Sequence, residues 1–119
     1  YATMTKFMDF MVNESIDLIR CHPNYKGWMG FGDWLSINAE TPRDLIGTAF
    51  FAYDADLMSQ IAGILGKRND ASKYRKLSND VKKAFQNRYL KGGTVSAEDI
   101  TAARKLAEQE HGISRGNLE

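Results

Sequence analysis

Between Thr41 and Gly66 the sequence carries a helix that is too apolar to have a single wet face. Thr41 stands where a side-chain oxygen caps free N–H groups, Pro42 suits the first helical position, and Asp44 faces the positive end of the helix dipole. Gly66 suits the left-handed position that closes a helix. Leu45, Ile46, Ala49, Phe50, Tyr53, Leu57, Ile61 and Ile64 recur at helical spacing, with Phe51, Ala52, Met58 and Ala62 on the flanks. A stripe this wide must be buried on two sides or meet a partner.

The other segments are sorted around that helix. From Ala2 to about Arg20, the residues Met4, Phe7, Met8, Met11, Leu18 and Ile19 step by three, four and seven, which predicts an amphipathic helix with its methionines in a core. Asn69 or Asp70 caps a helix through about Leu90, whose narrower stripe of Tyr74, Leu77, Val81, Ala84, Phe85 and Tyr89 opposes Lys73, Lys76, Asp80 and Lys83. That is an outer helix with one solvated face. Gly92-Gly93 ends it. Ser96 and Asp99 resemble a capping box, with Val95 stapling onto Ile100, and open a thin fourth helix to about His111. No segment predicts a strand. The expected fold is all-α, about four helices in antiparallel hairpins, because the last three are joined by short links.

Composition removes several classes of function. Sixteen basic residues against fifteen acidic ones leave a net charge of +1, too balanced for an electrostatic nucleic-acid binder. No apolar run approaches the roughly 20 residues that span a bilayer. One cysteine and two histidines cannot build a structural zinc site, and nothing calls for another cofactor. The chain opens at Tyr1 without an initiator methionine, which suggests a piece of something larger.

Chemistry concentrates in the irregular stretch from Cys21 to Glu40, where Pro23, Gly27, Gly30 and Gly32 interrupt Tyr25, Trp28, Phe31 and Trp34. Long loops inside compact domains are usually functional. Flat rings beside a carboxylate suit a saccharide, whose C–H groups stack on the ring while the acid bonds its hydroxyls; the same rings could equally plug the end of a helical bundle. Asp33 and Glu40 fall within the separation of a glycosidase pair, as almost any two loop carboxylates do, and the plainer reading has Asp33 bonding nearby backbone and Glu40 exposed. Asp54 and Asp56 point different ways on their helix. Adjacent Cys21 and His22 lack a third orienting group, Ser36 lacks a nucleophile elbow, His111 lies near a frayed end, and Gly30-Phe31-Gly32 is no dinucleotide fingerprint.

The run Gly30-Phe31-Gly32-Asp33-Trp34-Leu35, then Thr41-Pro42-Arg43-Asp44-Leu45-Ile46-Gly47-Thr48-Ala49-Phe50-Phe51-Ala52-Tyr53, resembles the catalytic domain of bacterial α-L-rhamnosidases, family 78 of the glycoside hydrolases. The resemblance continues to Leu65-Gly66 and through Asp70 to Phe85, so that residues 1–90 form the rhamnosidase-like segment and 91–119 an additional helix and tail. It implies a piece of an (α/α)6 barrel with alternating inner and outer helices. It also implies a rhamnose pocket lined by Trp34, shaped by Asp33 and accompanied by Trp28. Enzymes of the family hydrolyse terminal α-L-rhamnosides with inversion, using a general-acid Glu and a distant general-base Glu. The family's acid motif and its base are absent here, so no catalytic residue is assigned, and the isolated chain is expected to hydrolyse nothing. The expected partner is a saccharide within a larger bacterial enzyme, with self-association through the wide stripe as a further expectation. The competing reading is a non-enzymatic binding module built on the Trp28–Trp34 loop.

Overall fold

A computed structural model describes residues 1–20, 30–91 and 94–95. Among these, the elements run α1 (Ala2–Asn13), β1 (Ser15–Ile16), β2 (Ile19–Arg20), α2 (Arg43–Ile64), α3 (Arg68–Tyr89), β3 (Leu90–Lys91) and β4 (Thr94–Val95). The fold is all-α, and the strands are two-residue ladders that turn the chain rather than build a layer. The expected fourth helix lies outside the described residues.

The two long helices form an antiparallel hairpin. Its turn is a Schellman motif: the Lys67 N–H donates to the Ala62 carbonyl at 2.8 Å and the Gly66 N–H to the Gly63 carbonyl at 3.1 Å, with Gly66 at φ +72°. The stop at Gly66 is the one expected. The helix starts differ from expectation. Pro42 (φ −54°, ψ 132°) takes the N-cap position of α2, and its carbonyl accepts the first helical bond, from Ile46 at 3.2 Å. The Thr41 hydroxyl is turned toward Asp33 instead. α3 starts from Lys67, earlier than Asn69 or Asp70, and Asp70 in its first turn accepts the Tyr1 hydroxyl at 2.5 Å. That bond pushes the Tyr1 hydroxyl up to about 12, the carboxylate favouring the protonated phenol.

The face that α2 turns to α3 corrects the sequence reading. Thr48, Phe51, Ala52, Ala55, Met58, Ser59 and Ala62 are buried, whereas Phe50, Tyr53, Leu57 and Ile64 of the expected stripe are exposed. Small side chains let the helix axes approach, and hydroxyls cross the seam: Ser78 donates to the Ala52 carbonyl at 2.8 Å and Ser59 to that of Ala71 at 2.9 Å. On α3 the expected stripe holds, with Tyr74, Val81 and Tyr89 buried and Lys73, Lys76 and Lys83 exposed.

α1 lays Met8 and Met11 into this core, where they meet Phe51, Met58, Tyr74 and Val81. Met4 and Phe7, on the same expected stripe, stay exposed. The helix ends at Asn13 instead of Arg20, because Asp17 (φ 51°) and Leu18 (φ 65°) adopt the left-handed conformation of a two-residue hairpin turn and pair Ile16 with Ile19. Arg20, only 5% exposed, closes the helix end: its Nη1 donates to the carbonyls of Met11 at 3.2 Å and Glu14 at 2.9 Å. Its backbone N–H donates to Thr48 Oγ1 at 3.0 Å, which fastens the hairpin to α2. At the other end, Val95 pairs with Leu90 in the second ladder, and the expected staple onto Ile100 lies outside the described residues.

Candidate functional site

The loop of residues 30–42 delivers the chain into α2, and Gly30 (φ 87°) and Asn38 (φ 58°) supply its left-handed corners. Between them, Trp34 and Leu35 form a turn in which the Ser36 N–H donates to the Asp33 carbonyl at 3.4 Å. The Asp33 carboxylate accepts the Thr41 hydroxyl at 3.5 Å, tying the turn to the residue before Pro42. At Gly32 the backbone lies against Arg43, whose Nε would be 3.2 Å from a Cβ added there. The turn is therefore folded back on the first residues of α2.

On this support the loop holds large apolar side chains outward. Trp34 is 90% exposed, and Phe31, Leu35 and Ile37 are also largely open to solvent. Asp33 and Trp34 stand together, as the sequence places them, while Trp28, Tyr25, Cys21 and His22 lie outside the described residues. Glu40 is exposed. Asp33 bonds a side-chain hydroxyl in place of the backbone N–H groups expected of it. The arrangement offers an exposed aromatic side chain next in the chain to a carboxylate, and residues of these types can stack on a sugar ring and accept hydrogen bonds from its hydroxyls.

Beneath the loop is a cluster whose role the sequence reading missed. Asp44 Oδ2 accepts the Tyr89 hydroxyl at 2.7 Å and Arg88 Nη2 at 3.2 Å, and Oδ1 accepts the Leu45 N–H at 2.9 Å. Burial and the bond to Asp44 push the Tyr89 hydroxyl far above the ordinary tyrosine range. In the sequence, Asp44 reads as a dipole partner and Tyr89 as core, and nothing local joins them.

A shallow depression of about 630 Å³ lies elsewhere, between α2 and α3, lined by Ser59, Ser72, Arg75, Asn79 and Lys83 among others. Two of its basic residues are paired with neighbours, Arg75 with Asp56 and Lys76 with Asp80, and it forms the solvated flank of the hairpin. Among the described residues, no three of His, Cys, Asp and Glu gather in a way that could hold a metal ion.

The fold and loop define a helical-hairpin domain with an aromatic surface at the entry to its most apolar helix. The sequence profile described as the bacterial alpha-L-rhamnosidase 6 hairpin glycosidase domain matches residues 1–108, and the chain belongs to that family. An alpha-L-rhamnosidase of Streptomyces avermitilis is 45% identical over 83 residues, covering 65% of this chain and 8% of that protein. An alpha-L-rhamnosidase of Formosa agariphila is 40% identical over 81 residues, covering 62% of this chain and again 8% of the relative. The matched stretch is thus a small part of each relative's length. No solved structure matches the chain.

Proposed function

We propose that this chain is a segment of the catalytic domain of an α-L-rhamnosidase, a hydrolase of terminal α-L-rhamnosides. In this reading the loop 30–42 contributes part of the sugar pocket. The observation that carries the reading is the family match over residues 1–108 together with the placement of Asp33 beside Trp34 on one outward turn. Trp34 provides the stacking face. Asp33 holds the turn through Thr41 and keeps acceptor capacity for a hydroxyl. Trp28, from the same aromatic stretch, joins them as a substrate-binding residue.

The reaction is hydrolysis with inversion, in which a carboxylic acid protonates the leaving oxygen and a carboxylate on the opposite face activates water. Neither group is assigned within these 119 residues. The chain alone binds sugar weakly and turns nothing over.

Two measurements on one sample test this. The first is hydrolysis of a chromogenic aryl α-L-rhamnoside at high protein concentration; the second is tryptophan fluorescence under titration with L-rhamnose. The expected result is no turnover above buffer, together with a saturable fluorescence change that Trp34→Phe removes. Turnover lost on Asp33→Asn would overturn the fragment reading and place acid–base chemistry in the loop. No fluorescence response at millimolar sugar would leave the loop as a protein-binding surface, the non-enzymatic alternative.

A further inference from the structure

We propose that Asp44, gripped by Tyr89 and Arg88, is a positioning residue for the loop 30–42: it fixes the first turn of α2 against the last turn of α3 and so sets where Trp34 stands. The functional meaning of this inference rests on the rhamnoside-pocket reading, but its geometry does not.

The grip joins distant parts of the chain. Tyr89 lies 45 positions from Asp44, and Arg88 lies 44 positions away. Tyr89 is 1% exposed, and its ring is packed 4.9 Å from that of Phe85, so its hydroxyl has little freedom to point elsewhere. A phenol buried this far must find an acceptor or bear the cost of an unmade hydrogen bond. Asp44 is that acceptor, and the end of α3 is thereby registered on a single carboxylate of α2. Arg88, more exposed, adds a charge-assisted bond to the same oxygen.

From Asp44 to Trp34 the path is short. Pro42 restricts the backbone at the N-cap, Arg43 lies against the backbone of Gly32, and Thr41 bonds Asp33, whose carbonyl closes the turn that carries Trp34. Each link leads back to the first turn of α2, and that turn is what the triangle holds. A shift of the α2 start is carried to the backbone of the turn at Trp34 through the Arg43–Gly32 approach and the Thr41–Asp33 bond. Binding geometry is sensitive at this scale, since a displacement of about 1 Å at a positioned group can cost orders of magnitude in rate.

The test follows the indole N–H signals of the chain's two tryptophans in the 15N-labelled protein, with that of Trp34 assigned by Trp34→Phe. Tyr89→Phe removes the hydroxyl and keeps the ring; Asp44→Asn keeps the shape and removes the charge. Val81→Ala, which removes fully buried core volume from the same helix, serves as the control for lost stability. The expected result is that Tyr89→Phe and Asp44→Asn move the Trp34 signal toward its unstructured position and weaken L-rhamnose binding by roughly tenfold or more. Val81→Ala lowers the Tm without moving that signal. An unmoved Trp34 signal in both variants, or a wild-type signal already at the unstructured position, would overturn the proposal. If Asp44→Asn does not fold, Tyr89→Phe and the milder Arg88→Gln decide the matter. Absence of rhamnose binding by the wild type would count against the pocket reading alone, because the indole signal judges the positioning independently.

Discussion

Asp54 is a carboxylate in an awkward place. It stands on α2 between the buried face toward α3 and the open apolar face, partly desolvated, and burial pushes its carboxyl above the usual aspartate range while the Arg20 guanidinium pulls it partly back. A raised value in the folded chain means that the protonated form suits the fold better. The contribution is fully present below the ordinary aspartate range and is lost as pH rises through the raised value. Asp54→Asn should therefore be more stable than the native chain at pH 7, with a Tm higher by a few degrees at most, and the gap should close toward pH 3. A Tm difference that stays constant across that range would show that ionisation of Asp54 is not its cause. Thr48 is the contrasting case, a fully buried hydroxyl made acceptable by its bond from the Arg20 N–H.

Among the elements, those whose ends are set by backbone chemistry were the most legible in the sequence. Gly66 stops α2 because its positive φ suits a residue without a Cβ, and glycine announces that requirement in the sequence. Gly66→Ala should therefore lose about 1 kcal/mol from left-handed strain, since a Cβ there would meet nothing within 4 Å. Gly63, inside α2 and equally unobstructed, should gain a similar amount on substitution by alanine, about 0.5–1 kcal/mol. Urea midpoints for the two variants should shift in opposite directions; a shared direction would mean that the turn is not built as described. Ends decided by distant partners were not legible. Leu18 and Ile19 continue the helical spacing of α1, but the left-handed turn at Asp17 and Leu18 and the bonds of Arg20 to the Met11 and Glu14 carbonyls show that the helix has already closed. Thr41 has the chemistry of a cap, but Asp33 claims its hydroxyl. At the loop, the sequence placed Trp34 and Asp33 together because they are neighbours. It gave no sign of Asp44 and Tyr89, whose meeting depends on the hairpin.

For the molecule as a whole, the inversion of α2 is the main consequence. Periodicity weighted by side-chain size selects the stripe of Phe50, Tyr53, Leu57 and Ile64, but the rest of the chain packs on the neighbouring stripe, α3 against Ala52 and Ser59 and the Arg20 end of the hairpin against Thr48. Both faces of the helix are thus apolar, one covered within the described residues and one open, in a chain that spans 8% of its relatives' length. An open face of this kind drives association. Sedimentation of the isolated chain should give a mass that rises with concentration. The double variant Phe50→Gln and Tyr53→Gln should shift it toward monomer, with stability changed by no more than about 0.5 kcal/mol. A concentration-independent monomer for the native chain would show that the face is tolerated in water.

The small-residue seam and the N-terminal anchors also differ in how far apart along the chain their partners lie. Hydroxyl bonds across the α2–α3 seam join residues 12 and 26 positions apart, whereas Tyr1 reaches Asp70 across 69. Closing the longer loop carries the larger entropic cost, and contacts of low sequence separation form sooner. The helical pair can therefore assemble as soon as its own residues have been synthesised. α1, although made first, has to wait for the surface on which it packs.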